Sequence, residues 1–167
     1  MGAKSAISLE EYLRTSFPDL DREYRDGEVV ERSLPDDPHS KTQFLLLMFF
    51  GALCGKFPFF PRPELRMRIR PEMYLIPDVA VFYGSPPERV PQDPPLVAIE
   101  ILSSDDRMSA VRSKLEAYRA WGVKHVWLVD PQERRMYTCD QGLAEVESLR
   151  IPELELELTP AKIFDAQ

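Results

Sequence analysis

The sequence predicts an α/β domain with a central mixed sheet, flanked by one buried helix and by a second helix that carries Lys114. Residues 75–82 (Leu-Ile-Pro-Asp-Val-Ala-Val-Phe) and 96–102 (Leu-Val-Ala-Ile-Glu-Ile-Leu) are apolar runs of strand length, rich in branched side chains. Residues 106–121 instead repeat Met108, Val111, Leu115 and Tyr118 at helical spacing. Each strand also contains one carboxylate that its apolar pattern does not call for, Asp78 and Glu100. Burying even a neutral polar group costs roughly 2 to 7 kcal/mol unless something compensates it. The two acids are 100 − 78 = 22 positions apart, enough for one strand to end, a Pro-rich loop over 84–95 to turn, and a neighbour to return. Both could then share one cation. Magnesium suits such a pair, being held by one or two carboxylates, water and phosphate oxygens.

Taken in order, Ser8-Leu9-Glu10-Glu11 has the pattern of a capping box and opens a short helix that Pro18 ends. Residues 24–30 place an Asp26-Gly27 turn between strand-like flanks, with Glu23 at the start of the hairpin. Pro38 suits the first turn of a helix over 39–56, whose apolar residues lie on all sides and so predict full enclosure. Residues 57–63 read as a turn-rich connection. The stretch 64–70 alternates strictly, setting Leu65, Met67 and Ile69 toward the core and Arg66, Arg68 and Arg70 on the other face. Gly122 ends the helix over 106–121, a strand follows over 124–129, and 135–138 with 143–148 suggest a hairpin around Asp140-Gln141-Gly142. Leu154, Leu156 and Leu158 alternate with glutamates as a late strand with one acidic face.

The 167 residues suit a single domain over 1–167. With 21 basic and 28 acidic residues the formal charge is −7, so any nucleic-acid site must be local rather than a general basic surface. Three arginines on one strand make the clearest positive strip; a solvated strand face beside acids such as Glu72 is the plainer explanation. Cys54 and Cys139 lack companions at zinc-ligand spacing and read as free thiols in a reducing cytoplasm. The longest apolar run, 44–54, is too short for a bilayer, which takes about 20 residues, and no export signal is present. The chain also lacks a Gly-x-Ser-x-Gly elbow, a Gly-rich phosphate loop and a His-Glu-x-x-His pair, while His39 and His125 sit at element starts where capping or packing is expected.

Several blocks together resemble the PD-(D/E)XK nuclease superfamily, and more closely its Uma-two branch of restriction-endonuclease-like proteins. They are Glu23-Tyr24-Arg25-Asp26-Gly27-Glu28, Ile76-Pro77-Asp78-Val79-Ala80-Val81, Val97-Ala98-Ile99-Glu100-Ile101-Leu102-Ser103, and then Lys114, Tyr118, Gly122-Val123 and Trp127-Leu128-Val129-Asp130-Pro131. The resemblance implies an αβββαβ restriction-endonuclease-like core with an added N-terminal helix and hairpin. It also implies metal-dependent endonuclease chemistry on nucleic acid, DNA first, with Mg or Mn as cofactor. Asp78, Glu100 and the Ile101 carbonyl would hold the ion, with Glu23 a further acidic candidate. The superfamily's lysine two residues after the glutamate is Leu102 here, and Lys114 from the following helix takes its place as a third catalytic residue. Arg66, Arg68 and Arg70 would contact phosphates. The expected partners are nucleic acid and a second copy of the chain in a cytoplasmic homodimer, with no membrane.

Two other readings compete. One is a catalytically inactive nuclease-fold module that binds nucleic acid or a protein partner, favoured by Leu102 and by the acidic charge. The other is a structural dimer module with no dependence on divalent metal.

Overall fold

The computed structural model describes residues 4–17 and 22–166. Strand β1 (Lys4–Ala6) precedes helix α1 (Leu9–Arg14), where the Ser8 Oγ accepts the Glu11 amide at 3.1 Å. That is the serine half of the expected box. Pro18 lies outside the described residues. Strands β2 (Arg22–Arg25) and β3 (Glu28–Glu31) form the expected hairpin, and Asp26 and Gly27 between them have φ of +50° and +92°. A tight two-residue turn that matches strand twist needs positive φ at both positions, which the Asp-Gly pair tolerates.

Helix α2 (Asp37–Leu53) has Pro38 in its first turn, and Asp36 Oδ1 accepts the His39 amide at 3.0 Å. It is not enclosed on all sides, as its composition suggested: Leu46 and Phe50 are fully buried, whereas Phe44 and Met48 are 60% and 55% exposed. Only one face meets the sheet. The expected connection over 57–63 is instead largely a strand, β4 (Phe59–Pro63). It occupies the sheet edge, where two prolines without amides break no second ladder.

Strands β5 (Met67–Arg70), β6 (Met73–Leu75), β7 (Val79–Tyr83) and β8 (Val97–Ile101) follow. The single strand expected over 75–82 is thus two strands in two different sheets, with Ile76-Pro77-Asp78 crossing between them. Pro77 cannot donate to a ladder, so the pairing breaks there. Helix α3 (Met108–Trp121) ends on Gly122 at φ +110°; Leu115 and Tyr118 are buried, but Met108, at the first turn, is 41% exposed rather than part of the core. Strands β9 (His125–Asp130), β10 (Arg135–Thr138), β11 (Ala144–Val146), β12 (Leu149–Ile151) and β13 (Leu156–Leu158) complete the described strands. Leu154 lies in a short 3-10 turn rather than in the expected late strand.

A mixed six-stranded sheet runs β11-β10-β9-β8-β7-β4, in which only β8 and β9 are parallel. A parallel pair needs a crossover, and α3 provides it. An antiparallel sheet runs β1-β3-β2-β6-β5. On the six-stranded sheet Val79, Val81, Val97 and Ile99 pack against Leu46 and Phe50 of α2. Ala80 and Ala98 face the opposite way, toward Leu115 and Tyr118 of α3 and Met67 and Leu75 of the second sheet. Since strand side chains alternate, Glu100 follows Ala98 onto this second face.

Candidate active site

The crossover at Ile76-Pro77-Asp78 brings the second sheet, α3 and the ends of β7 and β8 to one place. Val79 pairs with Ile99, so one further step of that register sets Asp78 opposite Glu100. Asp78 is then tied across: its Oδ2 accepts the Ile101 amide at 2.7 Å, and Gln43 of α2 donates to its backbone carbonyl at 2.9 Å. Its Oδ1 lies 2.9 Å from a guanidinium nitrogen of Arg32 and 3.2 Å from Nε2 of His39.

Lys114 enters from α3 and is buried. Its Nζ lies 2.6 Å from Glu23 Oε1 and 2.8 Å from Glu100 Oε1, and donates to the Ile76 carbonyl at 2.7 Å. Three partners match the three donors of an ammonium. Glu23 Oε1 also accepts the Ile76 amide at 3.0 Å, while Oε2 takes the Arg25 guanidinium at 2.7 Å. Glu23 and Lys114 therefore satisfy both backbone polar groups of Ile76 where the chain leaves one sheet for the other. Tyr118 donates its hydroxyl to Glu100 Oε1 at 2.9 Å.

Burial and charge divide these acids. Burial pushes the Glu23 carboxyl up, but Lys114 and Arg25 outweigh it and leave it below its ordinary value. Burial likewise raises Asp78, and His39, Lys114 and Arg32 bring it below the ordinary range. Glu100 behaves oppositely: burial lifts it to about 7, Lys114 opposes the rise, and the charges of Asp78 and Glu23 add to it. Burial opposes the Lys114 ammonium, yet Glu100 and Glu23 raise its pKa above the ordinary value. Lys114 is therefore a cation at neutral pH and cannot take a proton from water.

A cavity of about 460 Å³ opens over this cluster, lined among others by Glu23, Asp78, Glu100, Ile101 and Lys114. Among the described residues there is no group of three or more His, Cys, Asp or Glu poised as a metal cage. The oxygens present nonetheless suit a hard divalent ion held by two carboxylates. The contacts from Tyr118 and Lys114 both fall on Glu100 Oε1, and burial above all lifts this carboxyl to about 7. Both oxygens of Glu23 are committed to the chain's own donors, and so are both of Asp78, whose partners an ion would have to share or displace.

The cluster thus unites Glu23, Asp78, Glu100, Ile101 and Lys114 but not Arg68 and Arg70 of β5 or Arg66 just before it. Arg66 lies over the Tyr12 ring at 5.5 Å, Arg68 donates to Gln92 at 3.2 Å, and Arg70 pairs with both oxygens of Asp26 at 2.5 and 2.6 Å. A register shift between Arg68 and Arg70 interrupts the pairing with β6, while Met67 and Ile69 stay buried as the alternation predicts. Sequence reasoning missed Arg32 and gave His39 and Tyr118 only capping or packing roles. Tyr118 had a signal, since it lies one helical turn beyond Lys114 on α3. Arg32 and His39 had none, because only the fold brings 32, 39 and 78 together.

A mixed sheet with a buried Asp, Glu and Lys at the junction of adjacent strands and a crossover helix defines the class of restriction-endonuclease-like proteins. The Uma2 family model, described as "Putative restriction endonuclease", matches residues 9–166, and the chain belongs to that family. Its fold is also that of a putative nuclease belonging to DUF820 from Anabaena variabilis ATCC 29413, known from a crystal structure, with a TM-score of 0.84 at 23% identity over 95% of this chain and 98% of that one. No curated protein matches the sequence. No helix among the described residues is long and apolar enough to cross a membrane.

Proposed function

We propose that the chain is a single-domain, Mg- or Mn-dependent endonuclease that hydrolyses phosphodiester bonds in DNA. The observation that carries this is the Lys114 ammonium buried against Glu100 in the cavity that Asp78 also lines. Asp78, Glu100 and the Ile101 carbonyl would hold the ion, which when bound supplies Lewis-acid stabilisation of a phosphate oxygen and lowers the pKa of water. Water attacks phosphorus, the bond to the leaving oxygen breaks, and that oxygen takes a proton. Lys114 offers positive charge to the oxygen on which negative charge grows, at the cost of exchanging one of its three present partners. Glu23 holds Lys114 in position through Oε1. Arg32 and His39 fix the Asp78 carboxylate. In this reading Arg66, Arg68 and Arg70 meet phosphates away from the reacting bond.

A second reading is a nuclease-fold module that binds without cutting. The observation favouring it is that Asp78 Oδ1 already has two partners of its own, the Arg32 guanidinium and the His39 imidazole. A melting-temperature titration with Mg and Mn separates the two readings, because an ion that binds only the folded state stabilises it by mass action. The nuclease reading expects a rise that Asp78→Asn abolishes, together with metal-dependent cleavage of DNA lost in the same variant. The same response in both proteins, with no cleavage, would favour the binding module.

A further inference from the structure

A second cavity, of about 560 Å³, lies on the other side of Lys114, between α3 and the edge of the antiparallel sheet. It shares Arg25, Ser113 and Lys114 with the first, so the two are neighbouring chambers along one helix flank. Arg107, Lys114 and Trp121 recur at seven-residue intervals on α3, which at 1.5 Å per residue sets them about 10 Å apart in succession. Arg107 lines the first chamber, Lys114 both, and Trp121 the second.

The second chamber combines a flat aromatic face with apolar neighbours and two guanidinium groups. Trp121 meets Ile69, Met73 and Leu75 across it, and Arg25 and Arg70 border it. Arg25 Nε is buried without a hydrogen-bond partner. The acid in the lining, Glu116, is held by Arg119 at 2.9 Å, while Arg25 and Arg70 carry Glu23 and Asp26 as partners, with which a phosphate would share them. Apolar walls with a few polar anchors in a volume of roughly 300 to 1,000 Å³ suit a small planar ligand. An aromatic ring beside cations is how single-stranded polynucleotide is gripped without reading its sequence.

We propose that this second chamber is a nucleotide subsite, which takes one unpaired base of the polynucleotide against Trp121 with its phosphate at Arg25 and Arg70. This rests on the nucleic-acid reading above and deepens it: the preferred substrate is single-stranded, or presents an extruded base, because a base inside a duplex stack has both faces covered by its neighbours and cannot lie against Trp121.

Binding of fluorescein-labelled oligothymidine and of a duplex of equal length, each in EDTA so that nothing is cut, tests this by fluorescence anisotropy. The wild type should bind the single strand more tightly. Trp121→Ala should weaken that binding by about tenfold or more, while Trp121→Phe keeps most of it. Arg70→Ala, a change at an exposed side chain, should reduce the slope of log affinity against log salt by about 0.7. It carries the test if Trp121→Ala does not fold. Tighter duplex binding by the wild type, or unchanged affinity in Trp121→Ala and unchanged slope in Arg70→Ala, would overturn the subsite. In that event, metal-dependent cleavage that is lost in Asp78→Asn would leave the nuclease reading standing, and its absence would remove both.

Discussion

Lys114 Nζ and Glu100 Oε1 lie 2.8 Å apart, one reaching down from α3 and the other up from β8, both out of bulk water. The same ammonium holds Glu23 from the second sheet, so one side chain pairs with two buried acids and joins three elements.

Lys114→Met should therefore do two things. Removing one partner of a buried ionic group leaves uncompensated charge and costs about 3 to 5 kcal/mol, read as a lower midpoint in urea. Cleavage, if the nuclease reading holds, should fall about 100- to 1,000-fold. Adding Glu23→Gln should recover part of the stability without the activity. A Lys114→Met protein as stable as wild type would contradict the buried pairing.

The Glu100 carboxyl predicts a pH trend in metal-free protein. Its pKa is raised from 4.5 to about 7 on folding, so between those values the folded state binds a proton that the unfolded state has lost. Stability through this group is then present below about 4.5 and lost as pH rises to about 7. Urea midpoints across that range should decline in wild type and flatten in Glu100→Gln. Equal slopes would refute the assignment.

His125 and Glu153 predict an opposite and smaller window elsewhere. His125 Nε2 lies 2.8 Å from Glu153 Oε1. Burial lowers the imidazole pKa, but Asp140 and Glu153 raise it above the ordinary 6.5. Burial opposes the Glu153 charge, and His125 and Lys124 together outweigh it and bring the carboxyl to about 2. The pair contributes fully between about 4.5 and 6.5, and fades as pH falls toward 2 or rises through the folded His125 value. Glu153 is partly exposed, so Glu153→Gln should cost no more than about 1 kcal/mol at pH 6, with the difference shrinking at pH 9. An NMR titration should show His125 shifting to lower pKa in that variant.

Helix α2 offers a packing test. Phe50 is fully buried and stacks near Trp127, with ring centroids 6.2 Å apart, and Phe59 meets it edge-on at 5.4 Å. Phe50→Ala should cost about 3 to 5 kcal/mol. Phe44→Ala, on the exposed face, should change stability by no more than about 0.5 kcal/mol. Similar losses at both positions would return α2 to the enclosed helix that its composition suggests.

What the sequence determined by itself was local. Asp26-Gly27 can take positive φ, Gly122 can close a helix, Pro38 can start one, and the apolar runs at 75–82 and 96–102 read as buried strands, which form over Val79–Tyr83 and Val97–Ile101. The two acids were legible because a charge in an apolar pattern carries a cost that calls for a partner, whereas Lys114, on a helix flank that suits a surface lysine, was legible only through the family resemblance. Tertiary structure decided what pairs with what. Composition cannot say that the run at 75–82 divides between two sheets at Pro77, because a strand's sheet is chosen by its neighbours and not by its residues. Nor can it say that Arg32 and His39 hold Asp78 while Arg66, Arg68 and Arg70 find partners of their own. Those contacts join residues tens of positions apart, and they exist only once two sheets and two helices have packed around Ile76.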